Sequence, residues 1–376
     1  MCGSTQPNSA AERTALTQMG QVAMNWLLIF VPISLGLELF APERYLLIFL
    51  ASALAILPLA GWMGRATEQL AERMGEGVGG LLNATFGNAA ELIIALAALR
   101  AGLHDVVKAS IAGSIVGNIL LVLGAAMLAG GLRRSEQHFN AAGARSQATM
   151  LLLAAIGLIL PAAFQAAAGS TEQELGKLSV SISVVLFLVY SLYLVFVLVT
   201  HSALFAGPYQ EEKKEAEWSV GRASSVLAGA TAAIAWISEI MVGAIEPTAH
   251  EFGLSNVFVG VFVVAILGNA AEHATAIGAA MKDRMDLALS IAIGSSVQVA
   301  LFVAPVLVFA SLYLGPAPMD LAFPAGLVLM VLLSAIITAQ VAGDGRSDWL
   351  KGLQLLAVYV IFGLTFFFLP SAQSHP

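Results

Sequence analysis

The sequence predicts an all-α integral membrane protein of about eleven transmembrane helices: one N-terminal helix followed by two inverted five-helix repeats. Three observations predict this fold, namely the composition, the spacing of apolar runs and a repeated motif. Of the 376 residues, 59% are hydrophobic and 11% are charged. Because soluble domains carry about 25% charged residues, most of the surface is expected to face a lipid bilayer. The formal charge of −7 therefore says little about partners, and we expect no nucleic acid among them.

Eleven apolar runs come close to the length of about 20 residues that a helix needs to cross the hydrocarbon core. Short polar segments join these runs and leave no room for a soluble domain between them. We divide the chain into an N-terminal tail with the first helix (1–44), a first repeat (45–208), an acidic linker (209–220) and a second repeat (221–376). The approximate limits of the runs are 22–40, 45–63, 81–101, 106–130, 147–168, 177–201, 221–245, 255–281, 287–314, 320–342 and 349–369.

The 17 Lys and Arg residues are divided unequally between the two sides of this topology. Thirteen lie on the side of the N-terminus, and the other side has only Arg44, Arg100, Lys108 and Lys177. Since Lys and Arg are enriched in cytoplasmic loops, we expect the N-terminus in the cytoplasm and the C-terminus outside. The compact chain favours a prokaryotic plasma membrane, with an organellar membrane as the alternative.

An internal repeat relates the two halves of the chain. Gly87-Asn-Ala-Ala-Glu91 recurs letter for letter as Gly268-Asn-Ala-Ala-Glu272, 181 residues later, and 13 of 36 residues are identical between 87–122 and 268–303. The two motifs fall in the third and eighth predicted spans, so the copies cross the membrane in opposite directions. Inverted repeats are typical of secondary transporters, which bind their substrate near the bilayer midplane where the repeats meet.

The two motif glutamates are the first candidate site residues. Glu91 falls at the centre of its predicted span, and Glu272 falls well inside its own. An acidic residue at this depth costs about 2.5 to 3.5 kcal/mol on insertion scales and usually marks an ion or proton pathway. The alternative is a protonated glutamic acid that bonds to a neighbouring helix, which is less convincing for a motif that occurs twice.

Asn88 and Asn269 lie one helical turn before the glutamates, on the same helix face. Calcium and similar hard cations take about six to eight oxygen ligands, and two carboxylates with two amide oxygens form the core of such a site. Two facing carboxylates that lose the cation repel each other and take up protons more readily. Competition between calcium and protons would then couple their exchange. The alternative for the asparagines is a purely interhelical hydrogen bond.

The chain resembles the calcium/proton antiporters, the cation exchanger family of the calcium/cation antiporter superfamily, from about Tyr45 to Leu369. Besides the two motifs, the resemblance rests on Gly113-Ser114, Asn118, His273, the run from Met281 to Asp286, and Gly294-Ser-Ser-Val-Gln298. It implies a calcium site built from Glu91 and Glu272 and supported by Asn88, Asn269, Ser114, Asn118, Ser295 and Gln298. Sodium/calcium exchangers carry Ser/Thr-rich repeats where alanines stand here, which argues against sodium as the counter-ion.

Two further residues are candidates for proton coupling. His273 adjoins Glu272 but lies about 100° round the helix, so it either tunes proton coupling or only connects two helices. Glu239 lies in the seventh predicted span and is a candidate for a buried proton path. In the family an acidic segment connects the two halves. The corresponding stretch from Gln210 to Glu217 is either a regulatory calcium sensor or, more simply, a solvated linker.

We therefore expect a secondary active transporter that exchanges Ca²⁺, or a similar divalent cation, for H⁺ by alternating access and expels cytoplasmic calcium. A sodium- or potassium-coupled exchanger is the main alternative. A calcium-permeable channel is less favoured, because inverted copies within one chain suit alternating access. No motif indicates an enzyme, so no catalytic residue and no organic cofactor are expected. The partners would be calcium ions, protons and the lipid bilayer, and a homo-oligomer is compatible with the sequence.

Overall fold

The computed structural model describes residues 25–74, 76–168, 171–202 and 217–368, most of which are helical. Two short strands, β1 (Gln137–His138) and β2 (Arg346–Ser347), pair antiparallel. The helices, in chain order, are α1 (Leu27–Phe40), α2 (Tyr45–Met74), α3 (Glu76–Phe86), α4 (Ala89–Arg100), α5 (His104–Gly131), α6 (Ala141–Ala168), α7 (Glu172–Thr200), α8 (Val220–Glu251), α9 (256–281), α10 (Met285–Ser311), α11 (Ala325–Ala342) and α12 (Trp349–Phe367).

The helical membrane fold predicted from the sequence is confirmed. Within the described residues, eight helices are long and apolar enough to cross a membrane, and α9 makes a ninth if its two bent segments count as one span. α1 is apolar but shorter, and the third predicted span consists of two short helices, α3 and α4. Every predicted span thus contains helix, whereas the total of eleven crossings stays a prediction.

The third and eighth predicted spans are interrupted close to their motif glutamates. Gly87 and Asn88 separate α3 from α4. In α9 the helix axis turns by 67° between Asn256–Ala270 and Glu272–Met281. Glycine is about 1 kcal/mol less favourable than alanine in a helix, and asparagine side chains compete for backbone hydrogen bonds. The Gly-Asn pairs therefore explain why continuous helices are interrupted at or near these positions.

The helices that follow the two motifs form the centre of the protein. Within an apolar 18-residue segment of each helix, 83% of the residues of α5 and 78% of those of α10 are buried, compared with 17% in α7 and in α12. α5 and α9 approach each other backbone to backbone, because a Cβ at Gly113 would lie 2.4 Å from the Val261 carbonyl oxygen. The repeated helix pairs thus lie inside, and helices such as α7 and α12 provide much of the lipid-facing surface.

Polar contacts between the repeats occur at both ends of the helices. At one end, Lys108 Nζ donates to Asp320 Oδ1 at 2.8 Å and to the Ala322 carbonyl oxygen at 2.9 Å. At the other end, Arg134 pairs with Asp283 at 3.5 Å. Both ion pairs join residues that the predicted topology assigns to the same side of the membrane. This agrees with the predicted segregation of charge, while the orientation of the termini stays a prediction.

The predicted acidic segment lies outside the described residues except for its last residue, Glu217. This carboxylate pairs with Arg65 of α2 at 3.1 Å. The next residue, Trp218, is buried and stacks on Trp62 with ring centroids 5.9 Å apart. The chain is therefore fixed to the C-terminal half of α2 immediately before the second repeat begins.

Candidate ion-binding site

The two motif asparagines connect the repeats by reciprocal bonds. Asn88 makes no capping bond within α4; instead its Oδ1 accepts from Ser295 Oγ of α10 at 2.7 Å. In the other half, Asn269 Nδ2 donates to Ser114 Oγ of α5 at 3.1 Å and to the Ala265 carbonyl oxygen at 3.0 Å. Each asparagine thus bonds to the serine of the opposite repeat. The structure brings these four predicted site residues together as two matching pairs.

Glu91 lies in the first turn of α4. The predicted span of which it is the centre is interrupted just before it, at Gly87 and Asn88. A carboxylate in this position is stabilised by the positive end of the helix dipole. Its side chain runs beside Gly268 of α9, where a Cβ would lie 3.4 Å from Glu91 Cγ. The glycine of the second motif therefore leaves space for the glutamate of the first.

Glu272 of α9 completes the pair of carboxylates. It is close enough to Glu91 for the two groups to interact electrostatically, and the Ser295 side chain is within hydrogen-bonding reach of it. Both glutamates are partly buried. When ionised, the two carboxylates together balance the charge of one divalent cation.

Three buried polar atoms around this pair have no hydrogen-bond partner among the described residues, namely Asn269 Oδ1, Glu272 Oε2 and Asn118 Nδ2. A buried polar atom left unsatisfied costs about 1 to 3 kcal/mol, so such atoms usually mark the position of an ion, a ligand or a water molecule. Two of the three are amide and carboxylate oxygens, which are ligand types that calcium prefers. The unsatisfied oxygens therefore indicate a cation site.

The remaining predicted site residues lie around the same junction. His273 Nε2 is 3.3 Å from Asn118 Oδ1, so this histidine connects α9 to α5. Gln298 Oε1 lies 3.5 Å from the position that a Cβ of Gly87 would take, beside the break between α3 and α4. All eight predicted ligands are thus grouped where the repeats meet. Which of them contact the ion, and whether His273 couples protons, stay predictions.

Glu239 does not belong to this group. The expectation that it is buried is wrong, because its side chain is 53% exposed and pairs with Arg100, with Oε1 2.6 Å from Nη1. Hydropathy predicts the span that contains Glu239 but not the direction of its side chain, and Arg100 at the end of α4 is 139 residues away in sequence. The position of Glu239 therefore gives no support to a buried proton path.

Gln147 of α6 was not predicted and lies next to the site. It is buried, and its Nε2 is 3.6 Å from the position of a Cβ at Gly294, the neighbour of Ser295. It also hydrogen-bonds the side chain of Tyr193 in α7. Its only signal in the sequence is an amide near the start of an apolar span that also contains Gln165, and such an amide cannot be distinguished from an interhelical contact.

The candidate ligands of the site are carboxylate, amide and hydroxyl groups, and only the two carboxylates carry a charge. Among the described residues, no group of three or more His, Cys, Asp or Glu could hold a metal ion. Zinc and similar ions prefer nitrogen and sulfur ligands, whereas two carboxylates with amide and hydroxyl oxygens suit a hard cation. With only two charged groups among the candidate ligands, the arrangement favours a cation that is bound and released over a permanent structural metal.

Comparison with known proteins agrees with this geometry. The chain matches the family model described as sodium/calcium exchanger protein over residues 44–199 and 223–368. A Ca(2+)/H(+) antiporter from Aphanothece halophytica is 46% identical over 360 residues, covering 92% of this chain and 96% of that protein. A Ca(2+)/H(+) antiporter from Synechocystis is 44% identical over 365 residues, covering 92% and 97%. The crystal structure of the selenium-substituted Ca²⁺/H⁺ antiporter protein YfkE has a TM-score of 0.78 at 37% identity, covering 93% of this chain and 99% of that chain.

Proposed function

Because this chain belongs to the sodium/calcium exchanger protein family, we propose that it exchanges Ca²⁺ for H⁺ across its membrane. The observation that carries this proposal is the pair of neighbouring carboxylates, Glu91 and Glu272, at the junction of the two repeats, where the buried oxygens Asn269 Oδ1 and Glu272 Oε2 lack partners among the described residues. The names of its relatives support the same choice of ions. The cations are substrates, so the protein needs no organic cofactor and performs no enzymatic reaction.

Calcium binds between the two repeats in this proposal. Glu91 and Glu272 balance its charge, and Asn269 Oδ1, which has no partner among the described residues, is directly available as a neutral ligand. Asn88 Oδ1 already accepts from Ser295, but a carbonyl oxygen has a second lone pair for the ion. The hydroxyl groups of Ser114 and Ser295 fix the orientation of the two amides. The ion therefore holds together residues of both repeats.

Protons replace calcium at the same carboxylates. Without the cation, the two glutamates repel each other in a poorly solvated site, and protonation removes that repulsion. A site that carries either calcium or protons can then change between its two orientations, whereas the empty charged site resists the change. Ligands shift such an equilibrium only through their different affinities for the two states. A proton gradient directed inward would thus expel cytoplasmic calcium.

The proposal includes an orientation and a location. The N-terminus lies in the cytoplasm and the C-terminus outside, as the distribution of Lys and Arg predicts. The membrane is a prokaryotic plasma membrane. The binding site lies near the bilayer midplane, as in other transporters built from inverted repeats.

Transport by purified protein in proteoliposomes tests this function. Uptake of radioactive calcium is measured under an imposed pH gradient and, separately, under an imposed sodium or potassium gradient. The same measurement is made with Glu272→Gln and with Glu251→Gln, an exposed glutamate at the end of α8 that serves as the matched control. We expect uptake that depends on the pH gradient, is lost in Glu272→Gln and is unchanged in Glu251→Gln.

The other outcomes separate the alternatives. Uptake that follows the sodium or potassium gradient instead would make the chain an exchanger for that ion. Uptake that persists without any gradient would indicate a passive calcium pathway. A fully active Glu272→Gln protein would contradict the assignment of the site while leaving calcium/proton exchange itself intact.

A further inference from the structure

Two neighbouring side-chain contacts connect α5 to α9 at the site. In the first, Asn269 Nδ2 donates to Ser114 Oγ at 3.1 Å. In the second, one helical turn further along both helices, His273 Nε2 lies 3.3 Å from Asn118 Oδ1. Asn118 is buried and His273 is partly buried. The second contact therefore lies beside the first, on the faces of α5 and α9 that meet at the junction of the repeats.

The second contact has no polar counterpart in the other half of the protein. The asparagine–serine contact occurs in both halves. By contrast, the residues that correspond to His273 and Asn118 in the repeat of 181 residues are Leu92 and Val299, and both are apolar. The two members of the contact thus differ from their counterparts together, which indicates that they act as a pair.

The amides of the two contacts are oriented in opposite ways. Asn269 uses its Nδ2 group for the contact and leaves Oδ1 without a partner among the described residues. Asn118 uses Oδ1 and leaves the buried Nδ2 without a partner in the same part of the chain. A free amide oxygen can bind a cation, whereas a free amide N–H group is a donor and cannot. In this orientation, the free atom of Asn118 is therefore of the wrong kind for a calcium ligand.

A half-turn of the Asn118 amide exchanges its oxygen and nitrogen and keeps its contact with His273. The histidine can take part in either arrangement, because a neutral imidazole donates through one ring nitrogen and accepts through the other. If Nε2 donates, Asn118 Oδ1 faces the histidine. If Nε2 accepts, Asn118 Nδ2 faces it, and Oδ1 takes the buried place that is free of partners among the described residues. The hydrogen-bonding role of His273 thus decides which atom of Asn118 stays free.

We propose that, when calcium is bound, His273 Nε2 accepts from Asn118 Nδ2 and thereby holds Asn118 Oδ1 toward the ion. His273 is then a positioning residue, which acts through Asn118 without binding the ion itself. Metal sites commonly orient their ligands by such outer hydrogen bonds. Glu272 adjoins His273 and Asn269 lies one turn earlier, and each has an oxygen without a partner among the described residues. The inference rests on the proposed function, because it concerns a ligand of the same ion.

Replacement of the histidine by its counterpart in the other repeat, His273→Leu, gives results of opposite sign for the two hydrogen-bonding roles. If Nε2 accepts and holds the oxygen toward the ion, we expect the KM for calcium to rise about tenfold, the lower end of the range for a lost outer partner of a metal ligand. If Nε2 instead donates to Oδ1 and holds the oxygen away, its removal frees the oxygen, and the KM should stay the same or fall.

Two further variants separate orientation of the amide from packing. His273→Gln should restore most of the affinity, to within about threefold of the wild type, because its amide oxygen can accept the same bond. Asn118→Asp presents a carboxylate oxygen in either orientation, so in this background His273→Leu should change the calcium KM by less than about twofold. The control for loss of a histidine is His250→Leu, an exposed residue of α8, which should behave like the wild type.

Initial rates of pH-driven calcium uptake into proteoliposomes are measured over a range of calcium concentrations, at one fixed pair of pH values. Calorimetric titration of the purified proteins with calcium gives the same comparison for a variant that binds without transport. If His273→Leu yields no folded protein on size-exclusion chromatography, His273→Phe takes its place, because it keeps a ring and lacks the acceptor.

An unchanged or lower calcium KM in His273→Leu would overturn the proposal. An equal rise in the Asn118→Asp background would also overturn it, since the histidine would then act by packing alone. The wild type distinguishes these failures from failure of the proposed function. If the wild type shows no pH-driven calcium uptake, the proposed function fails; if it shows uptake and His273→Leu does not raise the KM, only the positioning role is disproved.

Discussion

The ion pair between Lys108 and Asp320 should contribute strongly to the stability of the protein, and its two partners should contribute unequally. Lys108 belongs to α5, the helix that carries Ser114, and Asp320 belongs to the segment before α11. The side chains are 9% and 32% exposed, respectively. Lys108 also donates to the Ala322 carbonyl oxygen, and Asp320 Oδ1 also accepts from the Ala322 backbone N–H at 2.7 Å. The pair thus fastens a segment of the second repeat onto a site helix of the first.

The magnitude follows from the geometry. At the observed 2.8 Å, two unit charges attract each other by roughly 6 kcal/mol at an effective dielectric constant of about 20 (332/(20 × 2.8)). Much of this attraction is offset by desolvation, and removal of one partner from a buried pair costs about 3 to 5 kcal/mol. Because Asp320 is partly exposed and Lys108 keeps the Ala322 carbonyl, we expect about 2 to 4 kcal/mol for Asp320→Ala.

Lys108→Met should be milder. It removes the buried charge, fills the space with an apolar chain and leaves Asp320 able to reach water, so we expect a loss of about 1 to 2 kcal/mol, mainly from the unpaired Ala322 carbonyl. The double variant should lose little more than Lys108→Met, because the main cost of Asp320→Ala arises only while the buried ammonium group remains, and its other loss is the single bond from the Ala322 N–H. Strong non-additivity is the expected result for two groups that interact directly.

Thermal unfolding of the purified protein in detergent checks this order. Membrane proteins often unfold irreversibly, so the variants are compared by their transition temperatures at one scan rate. The expected order of decreasing stability is wild type, Lys108→Met together with the double variant, and then Asp320→Ala. If Asp320→Ala is as stable as Lys108→Met, or if the two losses add in the double variant, the lysine is not held by this carboxylate.

Three further outcomes are expected. Glu239→Gln should keep near-normal calcium uptake, because the residue is exposed and a surface ion pair contributes only about 0 to 1 kcal/mol to stability. Loss of transport would support a role for Glu239 in proton transfer. Gly113→Ala should lower the yield of folded protein, because its Cβ would lie 2.4 Å from the Val261 carbonyl oxygen and overpacking costs about 1 to 3 kcal/mol. The control, Gly64→Ala, should keep the normal yield, because its Cβ would meet no atom within 4 Å. Equal yields of the two variants on size-exclusion chromatography would contradict the close contact. Lower pH on the side where calcium binds should raise the KM for calcium and leave the maximal rate unchanged, because protons and calcium compete for the same carboxylates; a fall in maximal rate alone would exclude simple competition.

Much of the fold could be predicted because bilayer thickness and backbone polarity leave few solutions. Apolar runs of sufficient length predict helices, and the described residues contain helix in every predicted span. Breaks within a span are harder to predict, since hydropathy averages over a window and carries no information about backbone direction. The low helix propensity of the Gly-Asn pairs at 87–88 and 268–269 is a sign of these interruptions that the sequence does carry.

The site could be predicted where the repeat itself carried the information. The equivalence of Asn88 with Asn269, and of two serines 26 residues after them, predicts that the same groups occur on both sides of one junction. The cross-repeat direction of the Asn-Ser bonds was not predictable, because it depends on how the helices pack. The exposure of Glu239 was not predictable for a similar reason, because its ion-pair partner Arg100 lies in a different repeat. Side-chain direction and long-range partners are properties of packing that one sequence does not reveal.

The residues that differ between the repeats have a separate role from those that are identical. The identical asparagines, glutamates and serines contribute to the proposed binding site from both halves, whereas His273, Asn118 and Gln298 have Leu92, Val299 and Gly117 as their counterparts. Inverted repeats exchange their conformations when the site turns from one side of the membrane to the other. If the two halves were chemically identical, the two orientations would be equivalent and would bind calcium equally well. Unequal calcium affinities on the two sides must therefore come from the residues that differ. It follows that substitutions at the identical residues should impair binding from both sides, and substitutions at Gln298 or Asn118 should change the ratio of the calcium affinities measured from each side.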